Sequence, residues 1–224
     1  MVPQDSEYNP LIGHNTSEGV AQHGNIPTPT GPTKFNMAFV SFLFASCGAL
    51  LFAGTVWYIT SNAEHTFFIW HPTLMALTLL MATFGILILQ TTAKQGERNV
   101  GLNWHKLFQT VTFFAIIAGF TIIITYKNNN NKDHSGLCTF SFILLQTTFG
   151  SILANFPGVV GGASKAVRMY KYHRFSGYFL LALIYITALG GTQADWTIQH
   201  FDHLWVWLTA SVLVLVGIAG RTKA

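Results

Sequence analysis

Charged side chains are scarce in this sequence. Lys, Arg, Asp and Glu together make up 9% of the 224 residues, whereas half of the residues are apolar. In a soluble globular protein about a quarter of the residues are charged. The composition therefore excludes an ordinary soluble protein and indicates an integral membrane protein.

Cysteine is also rare, and its placement excludes one class of membrane enzyme. The two cysteines, Cys47 and Cys138, both fall in or at apolar stretches, without the spacing of a redox-active pair. We therefore expect small buried side chains and disfavour a quinone-linked disulfide oxidase. The polar regions are short and contain no GxGxxG motif after a strand, which excludes a flavin or nicotinamide domain.

The chain contains long apolar stretches, each near the ~20 residues that a helix needs to cross a ~30 Å hydrocarbon layer. They lack the alternating pattern of a β-barrel. The predicted fold is an all-α, integral membrane six-helix bundle. The stretches are residues 37–60, 67–90, 105–125, 135–156, 174–192 and 204–220.

Outside this membrane domain, assigned to residues 37–220, we expect two tails. Residues 1–36 are polar and rich in Pro, Gly, Asn and Thr, and no apolar run follows a basic start, so they predict a disordered tail and not a signal peptide. Residues 221–224 form a short second tail. Ten of the twelve Lys and Arg residues lie on the side that holds both tails, which predicts cytosolic termini.

Four histidines lie near the predicted starts of four consecutive helices: His71, His105, His134 and His173. Ionisable groups are costly in membrane segments and usually serve a function there. Because the helices alternate in direction, His71 and His134 should share the outer level, and His105 and His173 the inner level. Two imidazoles at one depth can hold one haem iron, so the pattern predicts two haems between the four central helices.

The assignment of His134 has alternatives. His134 precedes the strongly apolar part of its helix by three residues, and His65 or His203 would be a substitute ligand on the same side. An N-cap at Asp133 would bring His134 into the first helical turn.

The histidine motifs WHPTLM at 70–75, NWHKLFQ at 103–109, HSG at 134–136 and YHRFSGY at 172–178 resemble the cytochrome b-561 family, in particular its short six-helix branch. The resemblance implies a transmembrane electron shuttle with two b-type haems. It implies that His71 and His134 hold the outer haem, and His105 and His173 the cytosolic one. Ascorbate is the implied donor and monodehydroascorbate or ferric iron the implied acceptor, and the resemblance also suggests a homodimer. The chain lacks the ALLVYR-type motif of ascorbate-dependent members.

A cationic cytosolic face suits an anionic reductant, because several positive charges raise its local concentration. Lys106 is the foremost candidate for ascorbate binding because it adjoins His105. The wider set of candidates is Lys94, Arg98, Lys106, Lys165, Arg168 and Lys171. The positive-inside rule is an alternative explanation for each of them.

Several smaller features accompany this prediction. Glycines at 85, 119, 150 and 177 permit close helix packing or leave room for a macrocycle. In the outer loop at 192–203, acidic and histidine side chains would attract ferric iron, but an ordinary hydrated loop is the preferred explanation, and the loop is not assigned to the site. No nucleic-acid partner is expected, and an endomembrane, endoplasmic reticulum or vesicle, is preferred over the plasma membrane.

Two other functional classes remain open. One is a small transporter or channel that uses the histidines as proton relays, and the other is a haem-free structural or assembly protein. A transporter predicts broken helices with polar groups at mid-membrane, whereas the histidines here lie near helix ends.

Overall fold

The computed structural model describes residues 37–91, 95–129 and 137–220, which all belong to one compact unit. The predicted tails, residues 1–36 and 221–224, lie outside the described residues. Within the described part of the chain nearly every residue is helical and none forms a strand, which confirms the all-α fold. The α-helices there are α1 Met37–Asn62, α2 Trp70–Thr91, α3 Gln95–Asn129, α4 Leu137–Asn155, α5 Ala163–Thr192, α6 Asp195–His200 and α7 Leu204–Ala219.

Helices α1 to α5 are each long and apolar enough to cross a membrane. The sixth predicted span forms α7, whose 16 residues make it shorter than the others. At 1.5 Å per residue it is about 24 Å long, enough for most of a ~30 Å hydrocarbon layer. The protein is therefore a multi-pass membrane helical bundle.

Two helices begin much earlier than their apolar stretches. The stretches predicted at 105–125 and 174–192 lie in helices that start at Gln95 and Ala163. Loss of hydropathy marks the edge of the hydrocarbon layer and not the end of a helix, since Lys, Arg, Glu and Gln are good helix formers in water. The predicted connections at 91–106 and 157–174 were therefore wrong for the most part, and α3 and α5 extend from the membrane on the same side.

The four central helices form two antiparallel pairs. Helix α2 packs along α3, and α4 packs along α5, whereas α3 and α4 touch only sparsely. A tight reversal joins α4 to α5: a 3-10 turn, Pro157–Val160, precedes Gly161 and Gly162, whose φ angles are 90° and 103°. Glycine adopts such positive φ angles without the steric cost that a Cβ would add.

Helices α2 and α5, which also touch only sparsely, are linked by a buried hydroxyl pair. Tyr185 of α5 is fully buried, and its hydroxyl lies 3.1 Å from the Thr83 hydroxyl of α2. The Tyr185 ring also packs edge-on against Phe52 of α1, 5.7 Å between centroids, and Phe52 in turn packs against Trp207 of α7. Helices α1, α2, α5 and α7 thus share one aromatic core.

The cysteines are placed differently from the prediction. Both Cys47 on α1 and Cys138 on α4 are free and exposed, so the expectation of buried side chains was wrong. The outer surface of a membrane bundle faces hydrocarbon, and an apolar side chain gains as much there as in the interior. The same reason explains the many exposed large side chains, such as Phe114 and Leu145.

Helix α7 lies very close to α1. A Cβ built on Gly48 of α1 would come 2.5 Å from the Ala210 carbonyl oxygen and 2.8 Å from Leu213 Cβ, and one on Gly217 would come 2.5 Å from the backbone of Ser41 and Ala45. Small residues let helix backbones approach closely where lipid offers no hydrophobic drive to associate. Glycine therefore sets the distance between α1 and α7.

This contact gives a matched test on one helix. We expect Gly48→Ala to lower stability by about 1–3 kcal/mol, because the new methyl group meets backbone that cannot rotate away. Gly54→Ala is the control, since no atom lies within 4 Å of its Cβ position and it is exposed. Thermal unfolding in detergent should show a loss for the first variant only. Equal midpoints for the two variants would contradict the close contact.

Candidate functional site

His71 and His105 make equivalent hydrogen bonds across the α2–α3 pair. His71 Nδ1 of α2 lies 2.8 Å from the Gly119 carbonyl oxygen of α3, and His105 Nδ1 of α3 lies 2.7 Å from the Gly85 carbonyl oxygen of α2. A carbonyl oxygen only accepts, so each Nδ1 carries the proton and donates it. The Nε2 atom of each ring therefore keeps a lone pair that can bind a metal.

Glycine at both acceptor positions lets the two helices approach closely. A Cβ on Gly85 would lie 2.7 Å from Gln109 Nε2 and 3.3 Å from Phe108 Cβ. A Cβ on Gly119 would collide with Met75 Cε and lie 3.3 Å from Leu74 Cβ. The neighbours follow each histidine by three and four residues, so the two contacts are related by a local pseudo-twofold axis.

The two contacts lie at different depths in the membrane. Along α2, the His71 level and the Gly85 level are 14 residues apart, and along α3 His105 and Gly119 have the same separation. At 1.5 Å per residue this separation is about 21 Å. Each level therefore has one histidine and one glycine from the α2–α3 pair.

Across the α4–α5 pair, His173 lies against Gly150. A Cβ on Gly150 of α4 would come 2.5 Å from His173 Cε1, so this glycine makes room for the imidazole. That His105 and His173 share one depth and one haem stays a prediction.

His173 has a different hydrogen-bond partner from the other two histidines. Its Nδ1 lies 3.1 Å from the side-chain nitrogen of Gln146 on α4, and the same nitrogen lies 2.7 Å from the His173 carbonyl oxygen. Ser176 donates to Gln146 Oε1 at 2.8 Å. The Gln146 side chain therefore orients the His173 imidazole, whereas backbone carbonyl oxygens orient the imidazoles of His71 and His105.

The position of two histidines along their helices was predicted wrongly. His71 is the second residue of α2, as expected. His105 and His173 each follow the first residue of their helix by ten positions and do not begin it. Their depth in the membrane is unchanged by this correction, because the extra turns precede the hydrocarbon layer.

The fourth predicted ligand, His134, lies outside the described residues, as does Asp133. The substitutes on that side are described: His65 and His203 are both exposed, and His203 Nδ1 bonds the backbone of Asp202, 2.5 Å from its carbonyl oxygen. His65 and His203 are directed to the surface, and the choice of His134 over them stays a prediction.

The predicted cations lie where the helices leave the membrane. Arg98 and Lys106 are exposed on α3, and Lys165 and Arg168 are exposed on α5 within its first two turns. Lys165 and Arg168 are three residues apart and so share one side of the helix. Lys94 lies outside the described residues. Lys171 is likewise exposed on α5. Helices α3 and α5 thus carry five exposed candidate cations on the predicted cytosolic side.

The outer loop at 192–203 contains more structure than predicted. It includes the short helix α6, and Trp196 packs onto Phe68 at 5.5 Å between centroids while Phe68 lies 6.0 Å from the His71 ring. His200 stacks on Trp196 at 4.6 Å. Among the described residues, no three His, Cys, Asp or Glu side chains are grouped to hold a metal ion. An aromatic cluster therefore separates His71 from the exposed loop.

Sequence reasoning overlooked Gln146 and Ser176 as parts of the site. Gln146 interrupts an apolar stretch in the middle of α4, and an isolated polar side chain in a membrane span is itself a signal of function. The glycines 85, 119 and 150 had been noted only as small residues. Their pairing with particular histidines needed the helix register.

The fold and the site together define a class of protein: a membrane helical bundle in which backbone carbonyls at two levels orient His71 and His105 with Nε2 available to a metal. A family model described as eukaryotic cytochrome b561 matches residues 70–199, more than half of the chain, so this chain belongs to that family. Neither the comparison with curated proteins nor the comparison with solved structures gave a match. Proteins of this family are transmembrane oxidoreductases that transfer electrons with b-type haem.

The described residues fit a b-type haem. Ligand histidines usually donate the second ring N–H to a backbone carbonyl, which sets the tautomer and ring orientation, and His71 and His105 do this. Haem also needs space between helices, and α3 and α4 touch only sparsely. Only 11% of the α4 span is buried within the protein, against 44% for the span that contains α2. The α4 side of the bundle is thus loosely covered by protein where a macrocycle would lie.

Gly150 offers a direct test of this site. Gly150→Ala should lower the amount of haem bound per chain, because the methyl group would take the place of the His173 ring. Gly190→Ala on α5 is the control, since no atom lies within 4 Å of its Cβ position. The pyridine haemochrome assay gives the haem-to-protein ratio. Wild-type haem content in the Gly150 variant would contradict the placement of His173 in the site.

Proposed function

We propose that this protein carries single electrons across the membrane, from a reductant in the cytosol to an acceptor on the opposite side, through two b-type haems. His105 and His173 are the ligands of the inner haem. His71 and His134 are the ligands of the outer haem. Haem iron supplies one-electron chemistry by alternating between its ferric and ferrous states.

The observation that carries this proposal is the pair of equivalent histidine-to-glycine hydrogen bonds, about 21 Å apart along α2 at 1.5 Å per residue. A single site would need only one such arrangement. Two at different depths support two centres, one near each face of the membrane. The second ligand at each depth comes from the α4–α5 pair under this proposal.

The chain's own residues prepare the rings for ligation. Gly85 and Gly119 accept the Nδ1 protons, so each Nε2 is unprotonated before the cofactor binds, and the ring needs no rearrangement. With histidine on both axial positions, iron has no free coordination position for O₂. This supports electron transfer over oxygen activation.

The positions of the cations support a small anionic donor, for which ascorbate is our proposal. Arg98, Lys106, Lys165 and Arg168 are exposed on the two helix extensions, and Lys94 belongs to the same predicted group. Lys106 follows His105 directly. Their combined field would raise the local concentration of an anion beside the inner centre.

The acceptor on the opposite side is proposed to be monodehydroascorbate or ferric iron. His71 is separated from the exposed loop by Phe68 and Trp196, and His200 stacks on Trp196 at the surface. A small acceptor at this surface would lie near the outer centre. The proposal includes both termini in the cytosol and an endomembrane location.

Histidine substitution tests the two-centre proposal. His105→Ala and His173→Ala should each remove the same haem and retain the other, whereas His71→Ala and His134→Ala should remove the second one. His65→Ala and His203→Ala are the controls, because both side chains are exposed. Optical spectra and haem-to-protein ratios provide the measurement. A purified wild-type protein without visible absorbance would contradict the proposal and favour the transporter.

Ascorbate reduction tests the donor. Lys106→Ala should slow haem reduction at low ascorbate concentration, and the difference from wild type should shrink as salt increases, since the Debye length falls to about 10 Å at 0.1 M. Lys127→Ala, at the opposite end of α3, is the control. Stopped-flow spectroscopy at several salt concentrations measures the rates. Equal rates and salt dependence for the two variants would contradict a role for the Lys106 charge.

A further inference from the structure

Gln146 is the one polar side chain in contact with a candidate ligand ring among the described residues. His71 and His105 each meet a backbone carbonyl, which is fixed in place and only accepts. His173 meets a primary amide, which has one donor end and one acceptor end. The chemistry available to the His173 ring is therefore different.

The amide of Gln146 is held at both ends. Its nitrogen lies 2.7 Å from the His173 carbonyl oxygen and 3.1 Å from His173 Nδ1, so its two hydrogens match these two acceptors. Its oxygen accepts from Ser176 Oγ at 2.8 Å. In this arrangement Nδ1 accepts a hydrogen bond, and the ring proton is on Nε2.

That tautomer does not bind iron through Nε2, because Nε2 has no lone pair available. Ligation needs the proton on Nδ1 and an acceptor beside it. A half-turn of the Gln146 amide would exchange its nitrogen and oxygen and offer Oε1 to Nδ1. The Ser176 hydroxyl can accommodate this change, since it has a second acceptor, the Tyr172 carbonyl oxygen, at 2.8 Å. Its oxygen would then accept from the Gln146 nitrogen.

We propose that Gln146 is a positioning residue for His173, and that its amide turns over when iron binds so that Oε1 accepts the Nδ1 proton. The turn replaces the hydrogen bond between Gln146 and the His173 carbonyl by a contact between two oxygens. The described candidate ligands therefore differ: backbone prepares His71 and His105 in advance, whereas His173 becomes a ligand only with a change in Gln146. This inference rests on the proposed function.

The test replaces the amide and compares the two centres of the loaded protein. Gln146→Leu removes the acceptor oxygen but keeps a side chain of similar size. Gln146→Glu retains an acceptor oxygen. Thr147→Val is the matched control on the same helix, because the Thr147 hydroxyl bonds only within α4, to Ile143 at 2.8 Å. Redox titration followed by optical spectroscopy gives the midpoint potential of each centre. Electron paramagnetic resonance of the oxidised protein reports the ligand environment of each iron.

In Gln146→Leu we expect one centre to shift to higher potential, with a changed low-spin signal, while the other is unchanged. A hydrogen bond from Nδ1 makes the imidazole a stronger donor to ferric iron, and its loss favours the ferrous state. Gln146→Glu should keep both haems, with that centre at or below its wild-type potential. Thr147→Val should match wild type.

Loss of one haem from the Leu variant but not from the Glu variant would also support the proposal. Unchanged potentials in Gln146→Leu would overturn it, as would loss of haem from both variants, since the shape of Gln146 and not its hydrogen bond would then matter. A separate result would contradict the proposed function itself, namely fewer than two haems per chain in the wild-type protein.

Discussion

The hydrogen bonds from His71 and His105 to glycine carbonyls across the α2–α3 pair are the interaction on which the site depends. Each bond fixes the plane of an imidazole, places its proton on Nδ1 and leaves Nε2 for a metal. Each also brings the neighbouring backbone close, and a Cβ at Gly85 or Gly119 would have to displace the side chain of Gln109 or Met75. The same contact therefore packs the two helices together and prepares each histidine to bind a metal.

The membrane explains why so little of the chain is buried within the protein. Side chains on the outer face are surrounded by hydrocarbon, so burial among other side chains brings no further hydrophobic gain. Close packing is concentrated where a function or a helix crossing needs it, as at Gly48, Gly150 and Gly217. The loosely covered face of α4 is consistent with a bundle that encloses a cofactor of the family.

The two ends of the bundle carry different kinds of side chain. On the predicted cytosolic side, helical extensions of α3 and α5 carry exposed cations such as Lys106 and Arg168. On the opposite side, Phe68 and Trp196 pack together above His71 and support a short surface helix. Such asymmetry suits a protein whose two faces meet different small molecules, as the proposed electron transfer requires.

The sequence by itself determined the membrane class and the apolar spans, and it predicts the depths of His71, His105 and His173. Each of these follows from solvation: about 20 apolar residues cross a bilayer, and a histidine's place relative to the apolar stretch sets its depth. The helix starts of α3 and α5 were missed because hydropathy reports the bilayer edge, and the cysteines were misplaced because apolar residues suit lipid as well as a core. Tertiary structure alone decided that Gly85 and Gly119 are the acceptors, and that Gln146 reaches His173. These pairings depend on the register between helices, which is set by steric fit between distant parts of the chain and has no local signal in the sequence.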